Sequence, residues 1–278
     1  MTASRPAPPA VLSFAASDPT GGAGLQADIL TLASLGCHPL SVVTALTVQD
    51  TAGVEAVLPV DAAWVSDQAR ALLEDMPVAG FKIGLLGSVE VIAAVAEVIS
   101  DYPELPVILD PVLASGRGDQ LADEEVVEAM IGLLLPQTTV LTPNSLEARR
   151  LAQEIDAQAV ALPACARTLV EAGCEYVLVT GTHEGTPQVV NTLYGSHGAV
   201  RSDRWERLAG SYHGSGCTLA SALAAHVANG VPLADAVHGA QEYTWRTLAG
   251  GYRPGMGQFI PDRMFWLRAA GDGEEPAQ

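Results

Sequence analysis

Basic residues are scarce in this sequence. Its 278 residues include 14 Lys and Arg against 32 Asp and Glu, a formal net charge of -18. No local basic patch relieves that balance, so neither nucleic acid nor an anionic membrane is an expected partner. A chain this acidic must meet phosphates locally, with backbone N–H groups and a metal ion. Cysteine is scarce too: Cys37, Cys165, Cys174 and Cys217 are the full set. They form no CxxC pair and share no zinc spacing with histidine. They read as free thiols of a reduced, cytoplasmic protein. No apolar run reaches membrane-spanning length, and the first residues lack the basic-then-apolar pattern of a secretory signal.

Apolar residues, by contrast, make up 49% of the chain, ample for a sizeable core. The length allows one large α/β domain or two smaller ones. Apolar runs at 11–15, 40–48, 54–60, 78–83, 106–109, 139–141 and 176–180 read as strands. They are interleaved with helical periods at 24–35, 62–76, 89–99, 123–134, 163–172, 220–227 and 233–248. In the first helix Leu25, Ile29, Leu32 and Leu35 share one face, and Gly36 closes it. Residues 188–194 and 199–204 read as a hairpin. This alternation predicts a doubly wound, mostly parallel sheet with helices on both faces, in a single domain over residues 11–267. Residues 1–10 read as a disordered leader and 268–278 as a disordered acidic tail.

The chemistry centres on residues 213–219, which read His213-Gly214-Ser215-Gly216-Cys217-Thr218-Leu219 just before a buried helix. Glycines and a serine at a helix mouth leave backbone N–H groups unshielded, and the helix dipole adds positive charge. That is an anion site. A cysteine there is expected to have a lowered pKa and some thiolate character. Group transfer to or from an anion follows, with a phosphoryl group the natural cargo. The plain alternative is a glycine-rich cap with an inert thiol.

Ligands in such sheets bind outside the carboxyl ends of the strands. Residues 21–24 are glycine-rich but lack a P-loop lysine and a dinucleotide spacing. They read as a close backbone approach to a small ligand, with Asp18 or Asp28 as polar contacts; a tight strand-to-helix turn fits equally well. Asp110 and Glu147 follow strands and suit Mg²⁺, directly or through water. Alternatively Asp110 caps a turn beside Pro111, and Glu147 is a first-turn acid. Gln49 follows an apolar strand, where its amide can pair with a heteroaromatic ring or simply face solvent. Among the histidines only His213 adjoins the site.

Six motifs together carry a resemblance. They are Ala16-Ser17-Asp18-Pro19-Thr20-Gly21-Gly22-Ala23-Gly24-Leu25-Gln26-Ala27-Asp28, Thr44-Ala45-Leu46-Thr47-Val48-Gln49-Asp50-Thr51, Lys82-Ile83-Gly84-Leu85, Asp110-Pro111-Val112, Thr142-Pro143-Asn144-Ser145-Leu146-Glu147-Ala148 and His213-Gly214-Ser215-Gly216-Cys217-Thr218. In this order they resemble the hydroxymethylpyrimidine/phosphomethylpyrimidine kinases of thiamine biosynthesis, in the ribokinase-like superfamily. The likeness covers about residues 11–266. It implies a cytoplasmic homodimer that uses ATP and Mg²⁺ on a small aminopyrimidine. By the same resemblance Asp18, Gly22, Ala23, Asp28, Gln49, Leu85 and Val112 surround the pyrimidine. Gly214, Ser215 and Gly216 form the anion hole, with Cys217 the catalytic residue. Asp110 and Glu147 organise Mg²⁺, with Asn144 nearby, and Thr180, Gly181 and Thr182 lie along the nucleotide.

Two departures stand out. Many such kinases carry lysine where this chain has Thr180, and another in the loop after the Asp-Pro-Val motif. Arg117 is the candidate to stand in for the second, although Arg and Lys are not interchangeable. Two other readings stay open: a pyridoxal/pyridoxine kinase of the same fold, and a pyrimidine-binding sensor without turnover. Related sugar kinases place Asp where this chain has Cys217. A thiol can be neutral and would repel an already phosphorylated acceptor less.

Overall fold

A computed structural model describes residues 7–114, 118 and 121–271 of the chain. Nine strands form one sheet: β1 (Ala10–Ser17), β2 (His38–Gln49), β3 (Val54–Pro59), β4 (Val78–Ile83), β5 (Val107–Leu109), β6 (Val140–Leu141), β7 (Tyr176–Val179), β8 (Gln188–Gly195) and β9 (Gly198–Glu206). Their order across the sheet is β3-β2-β1-β4-β5-β6-β7-β8-β9. From β2 to β7 every pairing is parallel. The outer pairings, β2 with β3, β7 with β8 and β8 with β9, are antiparallel. The chain leaves β1 for β2 on one side and returns to β4 on the other. That reversal opens a crevice at the carboxyl ends of β1 and β4.

Alternating side chains of each central strand enter different layers. Val11, Ile108, Val140 and Leu178 pack with α1 (Gly24–Ser34), α7 (Ser215–Ala228) and α8 (Leu233–Ala249). Leu12, Phe14, Phe81, Leu109, Leu141 and Val177 pack with the helices of the opposite face. Those are α2 (Ala62–Asp75), α3 (Val89–Ser100), α4 (Glu124–Ala129), α5 (Ser145–Ile155) and α6 (Leu162–Glu171). Both faces of the sheet are therefore covered, which is why its parallel strands read as short continuous apolar runs. Gly36 ends α1 with a φ of 80°, as its position predicts.

The differences from the sequence reading have local causes. β2 is not buried to its end: Leu46 is 50% exposed and Val48 58%. There the strand pairs with β3 alone, beyond its last contact with β1 at Leu46. Gln49 thus ends β2 instead of following it. The helix expected over 123–134 is α4 only to Ala129; it widens into a π-turn over Met130–Leu134 and tightens at Leu135–Gln137, around Pro136. Ala10, expected in the leader, starts β1, and the Pro9 carbonyl already accepts from His38 N; residues 1–6 of that leader lie outside the described residues. Residues 268–271, expected in the tail, belong to α9 (Phe265–Gly271), with Phe265 and Trp266 against Tyr243; residues 272–278 lie outside the described residues. Arg117 lies outside the described residues. Among the described residues no helix is long and apolar enough to cross a membrane.

Candidate active site

A cleft of about 920 Å³ opens over the carboxyl ends of the central strands. Gly214, Ser215, Gly216 and Cys217 all line it. Gly214 is the N-cap of α7, with φ +78° and no side-chain cap over the helix mouth. A Cβ there would overlap the Gly22 carbonyl oxygen, so glycine is required both for its backbone angle and for the close approach of two loops. The first N–H groups of α7 are left to face the cleft. The open helix mouth expected from the sequence is therefore present.

Cys217 departs from expectation in its ionisation. Burial pushes its thiol up to about 12; Lys82 pulls the value down, but Asp110 and Asp28 push against it. The helix-mouth effect that predicts a thiolate is overridden by desolvation and two carboxylates. The thiol is neutral near pH 7 and bonds to the Asp110 carboxylate. All four cysteines are free thiols, as their spacing predicts.

Asp110 leaves the end of β5 and faces Gly216, whose Cβ position is 3.5 Å from Oδ1. Burial raises its pKa to about 6 against the pull of Lys82. Glu147 closes a capping box on α5: the Asn144 N–H donates to Oε2 at 2.9 Å, and Asn144 Oδ1 accepts from the Leu146 and Glu147 N–H groups. Burial, then the nearby Asp110 charge, push Glu147 up to about 8. The first-turn role and the metal role are compatible, since a capping carboxylate keeps lone pairs free.

Lys82 is the residue that sequence reasoning missed. It is the only lysine in the chain, it is 0% exposed, and it reaches the cleft floor from β4. Its Nζ lies 2.9 Å from both Asp28 oxygens. Burial alone would lower its pKa, but Asp28 outweighs burial and the amine is held above its usual range. A charged residue inside an apolar strand was the available signal, because such a charge needs a buried partner. The partner corrects another expectation. Asp28 also accepts from Ser13 Oγ at 2.6 Å and Ser221 Oγ at 2.7 Å, and it does not line the cleft. Its carboxylate is saturated below the floor, where it fixes Lys82 instead of lining the cleft.

One end of the cleft is built on the loop after β1. Asp18 accepts from the Ala23 N–H at 2.7 Å, the Thr20 N–H at 2.8 Å and the Thr20 hydroxyl at 3.0 Å. His213 Nε2 lies 2.8 Å from the same carboxylate. Burial opposes the Asp18 charge, but the His213 and Thr20 bonds outweigh it and hold the pKa below the usual carboxylate range. Asp18 lines the cleft but spends its oxygens on shaping the loop. Gly22 is also corrected: it is absent from the cleft wall and packs against His213. Ala23, Gln49, Leu85 and Val112 do come together on that wall. None of the described residues hydrogen-bonds the Gln49 side chain, so both ends of its amide are available to a ring.

At the other end Asn144, Thr180 and Thr182 line the cleft. Asn144 and Thr180 are held side by side by a parallel bridge, with the Thr180 N–H on the Pro143 carbonyl at 2.9 Å. Gly181 does not reach the wall. It is buried behind it, donating to Asn191 Oδ1 at 3.0 Å, and a Cβ there would overlap the Val190 carbonyl. Arg207, on the same wall, ties the following loop through the carbonyls of Thr182, Glu184 and Thr186.

Known proteins resemble this chain in sequence and in fold. The sequence model of the phosphomethylpyrimidine kinase family matches residues 18–262. The hydroxymethylpyrimidine/phosphomethylpyrimidine kinase of Rhizobium meliloti (strain 1021) is 37% identical over 248 residues, 89% of this chain and 93% of that protein. Among solved structures, an ADP complex of Bacillus subtilis pyridoxal kinase superposes with a TM-score of 0.84 at 26% identity, covering 92% of this chain and 98% of its own. The phosphomethylpyrimidine kinase of Clostridium difficile 630 does so with a TM-score of 0.73 at 30% identity, covering 85% and 97%. The fold is thus ribokinase-like, and a match this long at this identity places the chain in the phosphomethylpyrimidine kinase family.

Proposed function

We propose that this protein uses ATP to phosphorylate 4-amino-5-hydroxymethyl-2-methylpyrimidine, first to its monophosphate and then to the diphosphate, in thiamine diphosphate biosynthesis. The single observation that carries the reading is the open mouth of α7, with Cys217 in it, in one cleft with two carboxylates, the buried Asp110 and the half-buried Glu147. The ADP held by the pyridoxal kinase relative supports ATP as donor.

Positioning does most of the work in such a transfer. The free N–H groups of α7 bind the phosphoryl oxygens as charge develops on them. Gln49 pairs with the aminopyrimidine edge, and Ala23, Leu85 and Val112 hold its ring. Asn144, Thr180 and Thr182 lie along the nucleotide. The acceptor hydroxyl passes its proton to Cys217 as the thiol gives its own to Asp110. A relay suits a neutral thiol, and a loose transition state loses that proton late, so no strong base is needed.

Asp110 and Glu147 fit Mg²⁺. Asp110 is buried and Glu147 half-buried, and their mutual repulsion is the excess negative charge that a divalent cation relieves. Among the described residues no three acidic, His or Cys groups enclose a metal. Mg²⁺ tolerates that, because it keeps waters and takes phosphate oxygens. When bound it neutralises charge on the triphosphate.

A metal titration follows from the pKa directions. Both carboxylates are raised in the folded state, so their share of stability is complete at low pH and is lost as pH rises through about 6 and about 8. A cation at the site offsets that loss only where the groups are ionised. The rise in Tm caused by millimolar Mg²⁺ should therefore grow between about pH 6 and about pH 8, and Glu147→Gln should abolish the growth. An equal rise at both values would remove the metal from these residues.

A homodimer fits the exposed ribbon of β2 and β3. Leu46 faces Leu58 in register, with Val48 on the same side, and Leu58 is 66% exposed. The free thiols support a cytoplasmic location.

Product analysis by mass spectrometry tests the function. ATP, Mg²⁺ and hydroxymethylpyrimidine should yield monophosphate, then diphosphate. Phosphorylation confined to pyridoxine in a parallel tube would transfer the activity to the B6 vitamers, which the fold neighbours phosphorylate by name. Bound pyrimidine with no product in either tube would make the protein a sensor.

A further inference from the structure

Arg263 is 3% exposed and lies behind the cleft wall without lining it. Its backbone carbonyl is held by the Tyr243 hydroxyl at 2.9 Å. No carboxylate among the described residues hydrogen-bonds its guanidinium. Every bond it makes goes to a neutral oxygen. Nη2 donates to the Gly22 carbonyl at 2.6 Å and to the Gly214 carbonyl at 3.4 Å. Nη1 reaches the Gly21 carbonyl at 3.4 Å. Nε donates to Thr218 Oγ1 at 3.1 Å, and that hydroxyl donates on to the Gly214 carbonyl at 2.8 Å.

These oxygens belong to particular peptide units. The peptide is planar, so fixing its carbonyl fixes the direction of the N–H on its other side. The Gly214 carbonyl shares its peptide with Ser215 N–H, the first open donor at the mouth of α7. The Gly22 carbonyl shares its peptide with Ala23 N–H, which donates to Asp18. The Gly21 carbonyl shares its peptide with Gly22 N–H, which donates to Thr20 Oγ1. One rigid fork thus sets the first donor of the anion hole and the shape of the acceptor loop. Backbones at Gly22 and Gly214 already touch, and the fork spans that contact.

A cation is a costly way to bind four neutral oxygens in a core, since its charge is desolvated with no carboxylate hydrogen-bonded to it. The cost is rational where negative charge arrives on the far side of the same peptides. A charge-assisted bond to a carbonyl also polarises the N–H at the other end of the amide. We infer that Arg263 is a positioning residue that couples the acceptor loop to the anion hole and polarises its first donor. The inference rests on the kinase reading of the cleft.

Arg263→Lys and Arg263→Gln test it in the full chain. Lysine keeps the charge and loses the fork; glutamine keeps some bonds and loses the charge. With the pyrimidine alcohol as acceptor, kcat should fall about 10-fold in Arg263→Lys and about 100-fold in Arg263→Gln, as for a weakened oxyanion donor, while the KM for ATP stays within about threefold. Amide deuterium exchange should rise together in residues 19–24 and 214–218 and stay unchanged in the central strands. The inference is overturned if a folded variant keeps kcat within about twofold of the parent. Exchange that rises in one segment alone, or evenly along the chain, overturns it as well. If Arg263→Gln does not fold, Arg263→Lys decides by the same criteria. If the parent protein phosphorylates no pyrimidine, the kinase reading fails by itself, and the paired exchange still decides the coupling.

Discussion

Lys82→Met should melt well below the parent protein and turn over poorly. The amine is wholly enclosed and is the one cation on the Asp28 carboxylate. Methionine fills the volume but leaves Asp28 charged in the core, with only the Ser13 and Ser221 hydroxyls bound to it. Breaking one half of a buried pair costs about 3–5 kcal/mol. For a chain of this size that is a fall in Tm of roughly 6–20 °C. The activity loss has a separate origin. Lys82 is the positive charge that pulls the pKa values of both Asp110 and Cys217 down against burial. Without it the cleft floor becomes too negative for phosphate, and kcat should fall about 100-fold or more. A second substitution separates the effects. Adding Asp28→Asn removes the stranded charge and should recover most of the Tm but none of the turnover. Thermal melts and steady-state rates decide it, and a single mutant that melts like the parent would refute the argument.

Cys217→Asp should damage the second phosphorylation more than the first. The neutral thiol sits between Asp110 and the open end of α7. A carboxylate in its place adds negative charge beside Asp110 and Asp28. Two unit charges about 4 Å apart repel by roughly 4 kcal/mol at the effective dielectric of a protein site. The alcohol acceptor is neutral and feels little of this. The monophosphate acceptor is already an anion and feels it directly. The ratio of second-step to first-step kcat/KM should fall about 10-fold or more. Cys217→Ser, neutral and close in size, should leave the ratio within about twofold of its starting value. Equal losses in both steps for the aspartate variant would sink the electrostatic account of why a thiol is used here.

Much of this molecule is written in the sequence as period and punctuation. The runs that became β4 and β7 are apolar because both faces of the sheet are covered, and that signal is local. The helix mouth at Gly214 was legible for the same reason: a glycine cap before a small-residue helix needs no distant partner. What stayed hidden depends on residues far apart in the chain. The raised pKa of Cys217 comes from burial and from Asp110 and Asp28, which only the fold brings near. Asp28 looked like a ligand contact because nothing local shows that Ser13, Lys82 and Ser221 consume it. Gly22 and Gly181 looked like cleft residues because glycine near a strand end admits either close packing or close ligand approach. Here both glycines pack against protein, one on His213 and one on Val190. The end of α4 escaped the helical period because the chain changes its hydrogen-bond step before Pro136 without changing its apolar spacing.

The fork of Arg263 also sets a timetable for biosynthesis. It fastens a carbonyl 241 positions earlier in the chain, and Gly257 bonds to Thr51 across 206 positions. A ribosome adding about 5–20 residues per second needs roughly 10–50 s to span the larger interval. Over that time the glycine loop has emerged while its clasp has not been made. The nascent chain can collapse its sheet and inner helices, but the contact between the glycine loop and Arg263 forms last. A partly synthesised or C-terminally clipped chain would thus lack the clasp that ties the glycine loop to the mouth of α7.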